Sequence, residues 1–507
     1  MEIESELKFA VAPRTAGKLL KSTILKQAAT GKRRKRRLVS TYFDTRQHTL
    51  RKAGAALRVR RGGDSGSCEQ TIKLPAPGPA GMQNYEEWNT PVDGPEPELR
   101  RFDSAALRRL GEGKFKARLE AVFTTDVERT SIHLVRGNTH FMLDLDIGEL
   151  CGHGKRERRE PVCEAEFELL SGDPLRMLDF LLELDRDIGW HPLYMTKAQR
   201  GYALARPALR VKRSKARTVA LEPGASVGEA FLCIVGEALG HLQRNLQPAL
   251  QGQPEGVHQA RVAIRRTRAA LRGFKSILPY DKRKAFNGEF RWLQSRLAPA
   301  RDWHVFHSET LPQIAREAPA QSDDLRRLHQ LATRERKHAT AEAREALAGQ
   351  RFTRLMLQFQ RWLLSLDKAS GDIFTQSLQP FALSVLGRAH RDLLLDGRPL
   401  SKMTEEERHA LRKRGKKSRY AMEFFSSLWQ GAAADLYLKQ LEQLQDRLGE
   451  ANDAVVARKL IASLPPRALS SSGLLLVQDW SAAREASCRR AGQPVWRKMQ
   501  RATCFWH

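Results

Sequence analysis

Apolar and polar residues follow one period in the first part of the chain and another in the rest. Up to about residue 202 the segments are short, and charged residues alternate with mainly apolar ones, as in residues 2–9, which is the period of a strand. From residue 227 onward, apolar residues recur at spacings of three and four, which is typical of helices. The pattern predicts an α+β domain of mainly antiparallel strands followed by an all-α domain.

Changes of composition place the boundaries of these domains. We assign residues 1–206 to the β-rich domain, 207–221 to a basic linker with few apolar residues, and 222–507 to the helical domain. Within the β-rich domain, helical spacing predicts two helices, at residues 16–29 and 174–184.

The helical domain contains an internal repeat with an offset of 151 residues. The matched positions are His258, Arg261, Arg265, Phe274 and Leu297 in the first copy and His409, Arg412, Lys416, Phe425 and Leu448 in the second. Since one offset holds over all these matches, we expect two similar helical bundles in tandem, at about residues 222–365 and 372–500, with an approximate two-fold relation.

Composition adds a strong positive charge to this picture. The chain has 507 residues and a formal net charge of +29, of which residues 1–206 carry +7 and the rest +22. The ordinary hydrophobic share of 41% excludes disorder as a description of the whole chain. A charge of this size predicts a polyanionic partner, mainly for the helical domain.

The cysteines and the first residues point to a reducing compartment. The six cysteines show no zinc-site spacing, and a chain of this length has no need of disulfides. The first residues are acidic, unlike a signal peptide, and no apolar run approaches a membrane span of roughly 18 residues. We therefore expect a cytoplasmic protein with free thiols.

Charged faces recur on five predicted strands. They lie at residues 2–9, 57–60, 70–73, 144–146 and 164–168. A single strand of this kind is explained by a solvated sheet face, but clustered glutamates repel one another unless they surround a divalent cation. Carboxylates suit Mg²⁺, and arginine and lysine suit phosphate. Closed into a barrel, such strands would enclose a polar lumen and pack their apolar faces against helices outside.

Ordered motifs then carry a family resemblance. They are Glu4-x-Glu6-x-Lys8, Thr41-Tyr42-Phe43-Asp44-Thr45, Gly54-x-Ala56-Leu57-Arg58-x-Arg60, Thr71-x-Lys73, Cys163-Glu164-x-Glu166-x-Glu168 and Lys197-x-x-Arg200-Gly201-Tyr202. This set resembles the CYTH family, the triphosphate tunnel metalloenzymes, over about residues 1–205. The resemblance implies an eight-stranded antiparallel tunnel that binds a triphosphate with Mg²⁺ or Mn²⁺. Members include inorganic triphosphatases, thiamine triphosphatases and class IV adenylate cyclases.

The resemblance also implies roles for individual residues. The implied metal ligands are Glu4, Glu6, Glu164 and Glu166, and the implied catalytic residues are Glu4, Glu6, Lys8 and Asp146. The implied phosphate-binding residues are Lys8, Arg58, Arg60, Lys73, Arg129 and Lys197. Three alternatives stay open: Asp146 holds the metal or orients water, Arg129 binds phosphate or forms a surface salt bridge, and the basic run 32–37 reaches the tunnel mouth or is a solvated loop.

Each helical repeat carries a narrow basic stripe. At about 100° per residue, His258, Arg261, Arg265 and Arg268 fall on one face of a helix. The second repeat builds the same face from His409, Arg412, Lys416 and Arg419. A charged stripe on one helix can be a solvated face, but like charges at these spacings are mildly unfavourable. Its repetition favours an anionic ligand, and each histidine either contacts that ligand or is an ordinary helix residue.

These stripes resemble the CHAD family, the conserved-histidine α-helical domain, over about residues 222–500. The resemblance implies two four-helix bundles and polyphosphate binding along a central basic surface. The implied polyphosphate-binding residues are His258, Arg261, Arg265, Arg266, Arg268, His409, Arg412, Lys416, Lys417 and Arg419. Pro299 stands where the family has small residues, before Arg301-Asp302, and leaves the start of that helix open.

The sequence thus predicts a metal-dependent inorganic triphosphatase that cleaves tripolyphosphate, with a helical domain that binds polyphosphate. The alternatives are a non-catalytic polyphosphate-binding or granule-associated protein, and an enzyme acting on an organic triphosphate such as thiamine triphosphate or a nucleotide. Nucleic acid is a less favoured partner, because the stripes lack the interleaved aromatic residues that stack on bases. We expect no membrane partner.

Overall fold

The structure is a computed structural model, and it describes residues 2–62, 67–78, 81–110, 118–154, 157–367, 374–429 and 431–506. The chain forms two compact units. The first comprises residues 1–213 together with 348–368, and the second comprises residues 214–347 and 369–507.

A closed antiparallel barrel of eight strands forms the centre of the first unit. Its strands are β1 (Glu2–Val11), β2 (Ala29–Thr45), β3 (Ala56–Gly62), β4 (Cys68–Pro75), β5 (Gln83–Val92), β6 (Leu119–Arg136), β7 (Thr139–Gly152) and β8 (Arg158–Ser171). They pair in the order β5-β4-β3-β2-β6-β7-β8-β1, and β1 pairs back to β5. A short strand, β9 (Trp190–Pro192), pairs with β1 outside this ring. The predicted eight-stranded tunnel is confirmed.

Strand register decides which side chains meet inside the barrel. Lys8 lies opposite Glu166, and Arg129 lies opposite Asp146. The intervening residues Leu7 and Phe9 are buried in an apolar cluster with helical residues such as Phe180. The polar faces therefore line the lumen and the apolar faces pack outward, as the alternation of the sequence predicted.

In the described part of the first unit there are seven α-helices. They are α1 (Pro13–Lys21), α2 (Thr23–Ala28), α3 (Thr49–Lys52), α4 (Ser104–Leu110), α5 (Pro174–Leu184), α6 (Lys197–Ala205) and α13 (Gln350–Asp367). The helix predicted at residues 16–29 is instead two helices, because Ser22 leaves the helical conformation and its hydroxyl accepts a hydrogen bond from the Leu25 amide. The helix predicted at residues 174–184 has those bounds.

Helix α13 differs from the predicted organisation. The sequence placed it at the end of the first helical half, residues 222–365, but it packs on the barrel unit. Leu357 and Leu364 join the apolar cluster of α5 and β1, and Gln360 Nε2 donates to the Gly81 carbonyl at 2.9 Å. A strongly amphipathic helix needs an apolar partner surface, and the outside of the barrel supplies it.

The described residues of the second unit form two sets of four long helices, with α9 and α10 counted together. The first set is α7 (Val227–Leu250), α8 (Pro254–Gly273), α9 with α10 (Tyr280–Arg296 and Ala298–Val305) and α12 (Ser322–Ala348). A π-helical turn and the short α11 (Leu311–Glu317) precede α12. The second set is α14 (Leu378–Leu394), α15 (Glu405–Phe425), α16 (Ala432–Ala462) and α17 (Ser471–Gln500). The predicted start of the second half, residue 372, lies outside the described residues.

Equivalent residues of the two repeats meet one another. Ser226 pairs with Ser377, which is its counterpart at the offset of 151. The rings of Phe274 and Phe425, another equivalent pair, lie with their centroids 5.9 Å apart. Contacts between equivalents are expected on an approximate two-fold axis, so the predicted two-fold relation is present within this unit.

Pro299 accounts for one difference between the repeats. Helix α9 ends at Arg296, Leu297 separates it from α10, and α10 begins at Ala298. Pro299 lies in the first turn of α10, where the missing proline amide has no helical partner to lose. The equivalent stretch of the second repeat lies within the continuous helix α16. Among the described residues, no helix is long and apolar enough to cross a membrane.

Candidate functional site

Acidic and basic side chains alternate along strand β1 inside the barrel. Lys8 Nζ lies 3.0 Å from Glu6 Oε1 and 3.0 Å from Glu166 Oε1. Burial alone would lower the pKa of Lys8, but the carboxylates of Glu166 and Glu6 hold that pKa well above its usual value. Burial raises the pKa of Glu6. Glu4 pairs with Lys73 from β4.

A second acidic cluster lies on β7 and β8. One carboxylate oxygen each from Asp146, Glu164 and Glu166 lies within 4.8 Å of the other two. Arg129 binds Asp146 with two hydrogen bonds of 2.7 Å. Lys197 Nζ lies 2.7 Å from Asp146 Oδ2 and 2.9 Å from Glu166 Oε1. Although burial would raise it, Lys197 and Arg129 lower the pKa of Asp146 to about 2.

Helix α6 brings Lys197 to this cluster. Thr196 caps the helix by accepting a hydrogen bond from the Gln199 amide, so the helix begins at Lys197. A Cβ at position 201 would lie 2.1 Å from the ring of Phe123. Only glycine therefore lets α6 approach β6 so closely.

A buried hydrogen-bond network explains the motif residues Asp44 and Tyr202. The Tyr202 hydroxyl donates to Asp44 Oδ2 at 2.7 Å. The same carboxylate accepts hydrogen bonds from the amides of Thr45, Leu50 and Arg51 at 2.7 to 3.0 Å. These two motif residues therefore fix α6 and the turn after β2 rather than contact the lumen.

Cations from β3 and β4 complete the lumen. Arg58 Nη2 lies 3.2 Å from Glu87 Oε1, and Arg60 Nε donates to Ser40 Oγ at 3.3 Å. Burial, together with the nearby charges of Arg58 and Arg129, lowers the pKa of Arg60 to about 10. Arg60 therefore has excess positive charge around it and no carboxylate within ion-pair distance among the described residues.

The structure brings all the predicted tunnel residues to one barrel. Arg129 does not form a surface salt bridge, because its side chain is only 16% exposed and is bound by Asp144, Asp146 and Glu166 in the lumen. The basic run 32–37 belongs to strand β2, so it is not a loop.

Sequence reasoning left several lumen residues out of the predicted site. They are Tyr85, Glu87, Asp144, Glu168 and Arg200. Burial and the charges of Glu4 and Glu6 raise the pKa of Glu168 to about 8. Asp144 and Glu168 lie on charged faces that the alternation of the sequence predicted, although no role was assigned to them. Only the pairing of β5 with β1, which is not encoded locally, reveals Tyr85 and Glu87.

The donor set suits a hard divalent cation. Each member of the Asp146, Glu164 and Glu166 cluster offers a carboxylate oxygen, which is the ligand that Mg²⁺ prefers. Lys8 lies between Glu6 and Glu166. It therefore separates Glu4 and Glu6 from the cluster of Asp146, Glu164 and Glu166. Asp146 thus joins the predicted ligands Glu164 and Glu166, and the residues present fit a metal.

The second unit brings the two basic stripes together. Helices α8 and α15 are in contact, and burial lowers the pKa of Lys416 to about 7 with the help of Arg412, Arg265 and Arg261. Arg265 Nε donates to the Tyr420 hydroxyl at 3.0 Å. Four cationic side chains, two from each repeat, therefore lie close together. We call Arg261, Arg265, Arg412 and Lys416 the central cluster.

Several predicted stripe residues have structural partners instead. Arg266 is 4% exposed, and its Nη1 lies 2.5 Å from Glu423 Oε2. Arg419 Nε lies 2.7 Å from the other oxygen of the same carboxylate. Arg268 donates to Asn287 and Gln294 at 3.1 and 2.6 Å. Lys417 is exposed. The stripe is thus divided into the central cluster and flanking residues.

The two histidines lie at one end of the stripes. Burial and the neighbouring cations Arg301 and Arg265 lower the pKa of His258 to about 4. His409 Nδ1 lies 3.3 Å from Asn452 Oδ1. Burial and the charge of Lys413 lower the pKa of His409 as well, so both rings are neutral at pH 7, where each can still donate one hydrogen bond.

Comparisons with known proteins find two domain families in the chain. A CYTH domain model matches residues 2–202, and a CHAD domain model matches residues 233–462. The inorganic triphosphatase of Haemophilus influenzae is 30% identical over 209 residues, which are 40% of this chain and 54% of that protein. The chain thus matches about half the length of that relative. The crystal structure of the CHAD domain from the plant Ricinus communis superposes with a TM-score of 0.51 at 30% identity, over 58% of this chain and 98% of that one. The chain therefore combines a CYTH domain with a CHAD domain.

Proposed function

We propose that the first unit is a metal-dependent inorganic triphosphatase that hydrolyses tripolyphosphate to pyrophosphate and phosphate. The observation that carries this proposal is the pairing of Lys8, Arg129 and Lys197 with the carboxylates of one lumen. The cations of such a lumen can bind a phosphate chain, and its carboxylates can bind the divalent cation that accompanies the chain. The name of the Haemophilus influenzae relative supports the same activity.

The reaction joins a water oxygen to the terminal phosphorus and breaks the bridging P–O bond. Pyrophosphate leaves with the bridging oxygen, and the water proton passes to a carboxylate and then to solvent. The transferred phosphoryl group spreads its charge over its oxygens, so positioned cations supply most of the stabilisation. The residues that would hold these oxygens are Lys8, Arg58, Arg60, Lys73, Arg129 and Lys197.

The carboxylates divide into two roles. Burial raises the pKa of Glu6, so this carboxylate accepts a proton more readily than Asp146 does. Asp146 is held ionised by Arg129 and Lys197, which suits a group that positions cations and water. A bound Mg²⁺ or Mn²⁺ would neutralise phosphate charge and polarise the terminal phosphorus. Its ligands would come from Glu4, Glu6, Glu164 and Glu166, with Asp146 beside them.

Phosphate release from tripolyphosphate, ATP and thiamine triphosphate tests this proposal, with Mg²⁺ and with a chelator. We expect release from tripolyphosphate to exceed release from the other two and to stop when the metal is removed. Glu166→Gln should abolish it, while Glu149→Gln, at an exposed ion pair on β7, should not. Metal-dependent release from none of the three would overturn the proposal, and a preference for an organic triphosphate would correct its substrate.

We propose that the second unit binds linear polyphosphate at the central cluster. Burial and the neighbouring cations lower the pKa values of Arg261, Arg412 and Lys416, so an anion that approaches the central cluster is bound favourably. Binding of a polyphosphate and of an RNA with equal charge tests this preference, and equal affinity would contradict it. A cytoplasmic location and association with polyphosphate granules stay predictions.

A further inference from the structure

Strand β2 carries six consecutive cations near its start, at residues 32–37. The register of β2 with β6 places Arg34 opposite Ser131 and Arg36 opposite Arg129. Side chains of alternate residues point to opposite faces of a strand. Arg34 and Arg36 therefore share the face of Arg129, which is the lumen face, while Lys35 and Arg37 lie on the outer face.

The two faces differ in how their charge is balanced. On the outer face, Lys35 Nζ lies 2.8 Å from Glu128 Oε1, and Arg37 Nη2 lies 2.6 Å from Asp126 Oδ2. Among the described residues, neither Arg34 nor Arg36 forms an ion pair with a carboxylate. Like charges side by side on one face destabilise a strand. The inner row thus carries positive charge that the protein itself does not neutralise.

The arginines of the inner row line a cavity of about 1060 Å³. Its lining includes Lys32, Arg34 and Arg36 together with Arg60 and Arg129 of the lumen. The cavity is therefore continuous with residues proposed to hold the triphosphate. We call Lys32, Arg34 and Arg36 the mouth row.

The cavity offers little to a nucleobase. Among its described lining residues there is no Phe, Tyr or Trp, which are the usual stacking partners of bases. Its one imidazole, that of His133, is 2.6 Å from the Thr30 hydroxyl. Cations at alternate positions of a strand lie roughly 6.6 to 6.8 Å apart, so the mouth row suits a flexible chain with a charge on every unit.

We propose that the mouth row binds the phosphates of a linear inorganic polyphosphate that extend beyond those held in the lumen. This inference rests on the proposed triphosphatase function and deepens it, since it makes the mouth row a determinant of chain-length preference. Arginine suits this role because its guanidinium binds phosphate oxygens in pairs.

Two double variants of the full-length protein test the inference. Arg34→Ser with Arg36→Ser removes two charges from the inner face, and Lys35→Ser with Arg37→Ser removes two charges from the outer face of the same strand. The measured quantity is kcat/KM for tripolyphosphate and for a linear polyphosphate several times longer. The helical unit is the same in both variants, so its own binding does not affect the comparison.

We expect the inner variant to lower the ratio of long-chain to tripolyphosphate kcat/KM about tenfold, since two exposed charge contacts contribute about 0.7 kcal/mol each. Its long-chain KM should also depend less on salt. The outer variant should leave the ratio unchanged. An equal effect of the two variants, or an inner variant that loses both substrates to the same extent, would overturn the inference.

The proposed function can fail separately. If the unaltered protein hydrolyses neither substrate, the triphosphatase proposal falls, and the affinities of the two variants for a fluorescently labelled long polyphosphate decide on the mouth row. Weaker binding by the inner variant alone would then support the proposal that the mouth row binds polyphosphate. Equal binding by the two variants would contradict that proposal.

Discussion

The Thr353 hydroxyl donates a buried hydrogen bond of 3.0 Å to the backbone carbonyl of Trp190, 163 residues earlier in the chain. Trp190 lies opposite Val11 in the pairing of β9 with β1. The Leu193 amide, just after β9, donates to the carbonyl of Lys8 at 2.8 Å. Helix α13 is therefore attached to the strand that carries Glu4, Glu6 and Lys8.

Thr353→Val should loosen this attachment. The change leaves the Trp190 carbonyl buried without its partner, which costs about 1 to 3 kcal/mol. We expect faster amide hydrogen exchange in β9 and the end of β1, with no change in the helical unit. Ser365→Ala is the control, because the Ser365 hydroxyl bonds only to the Trp362 carbonyl of its own helix. Equal exchange in the two variants would show that the bond does not stabilise β9.

Arg129→Gln should reduce phosphate release from tripolyphosphate about 10²- to 10³-fold, the range for a lost group that stabilises transition-state charge. Removal of the guanidinium takes away a phosphate contact and the two hydrogen bonds that hold Asp146. Arg159→Gln is a matched control, since Arg159 pairs with Glu149 and Glu157 on the exposed surface of the barrel. Comparable loss in both variants would place the effect outside the lumen.

Substitutions of the neighbouring residues Arg265 and Arg266 of α8 should have different effects, one on polyphosphate binding and the other on stability. Arg265→Ala removes a member of the central cluster and should weaken polyphosphate binding with little effect on unfolding. Arg266→Ala breaks a buried ion pair with Glu423 and should lower the free energy of unfolding by about 2 kcal/mol, less than the 3 to 5 kcal/mol typical of such pairs, because Arg419 still holds that carboxylate. Isothermal titration and denaturant unfolding measure the two effects. If Arg266→Ala weakens polyphosphate binding as much as Arg265→Ala does, the distinction between the central cluster and the flanking residues of the stripe is wrong.

Lys416 should make the stability of the helical unit depend on pH. Its pKa is lowered to about 7 by burial and by Arg412, Arg265 and Arg261, while a lysine in the unfolded chain titrates near its ordinary pKa of 10.5. Between these values the unfolded chain binds the extra proton, so stability rises with pH, and the destabilisation is fully present below about pH 7.

Lys416→Met should therefore stabilise the unit by on the order of 1 kcal/mol at pH 6, with the gain fading as pH rises toward 10. It should also weaken polyphosphate binding. Lys439→Met, at an exposed position of α16, should change neither property. Denaturant unfolding at several pH values measures this, and a gain that does not vary with pH would contradict the lowered pKa.

Much of this protein could be predicted from its sequence because the relevant signals are local. Alternation in residues 2–9 is enough to place Glu4, Glu6 and Lys8 on one face of a strand, and the order of the motifs is enough to indicate the barrel. The repeat offset of 151 residues predicts the two sets of helices and their two-fold relation. The strand face and the motifs depend on neighbouring residues, and the repeat is found by comparing the chain with itself, so none of these features requires the fold to be known.

Other features were decided only by the tertiary structure. The stripe of α8 looks uniform in sequence, yet Arg265 joins the central cluster while Arg266 is buried against Glu423, because the rotation of the helix is set by its packing. In the same way, the register of β2 with β6 decides that Arg34 and Arg36 face the lumen.

Helix α13 shows the difference most clearly. Its amphipathic pattern predicts a helix but does not say which apolar surface it covers, since the hydrophobic effect is not directional. The sequence by itself determined the elements, their polar faces and the chemistry of the two domains. The tertiary structure decided which faces meet, because contacts between distant segments depend on the shape and register of both partners.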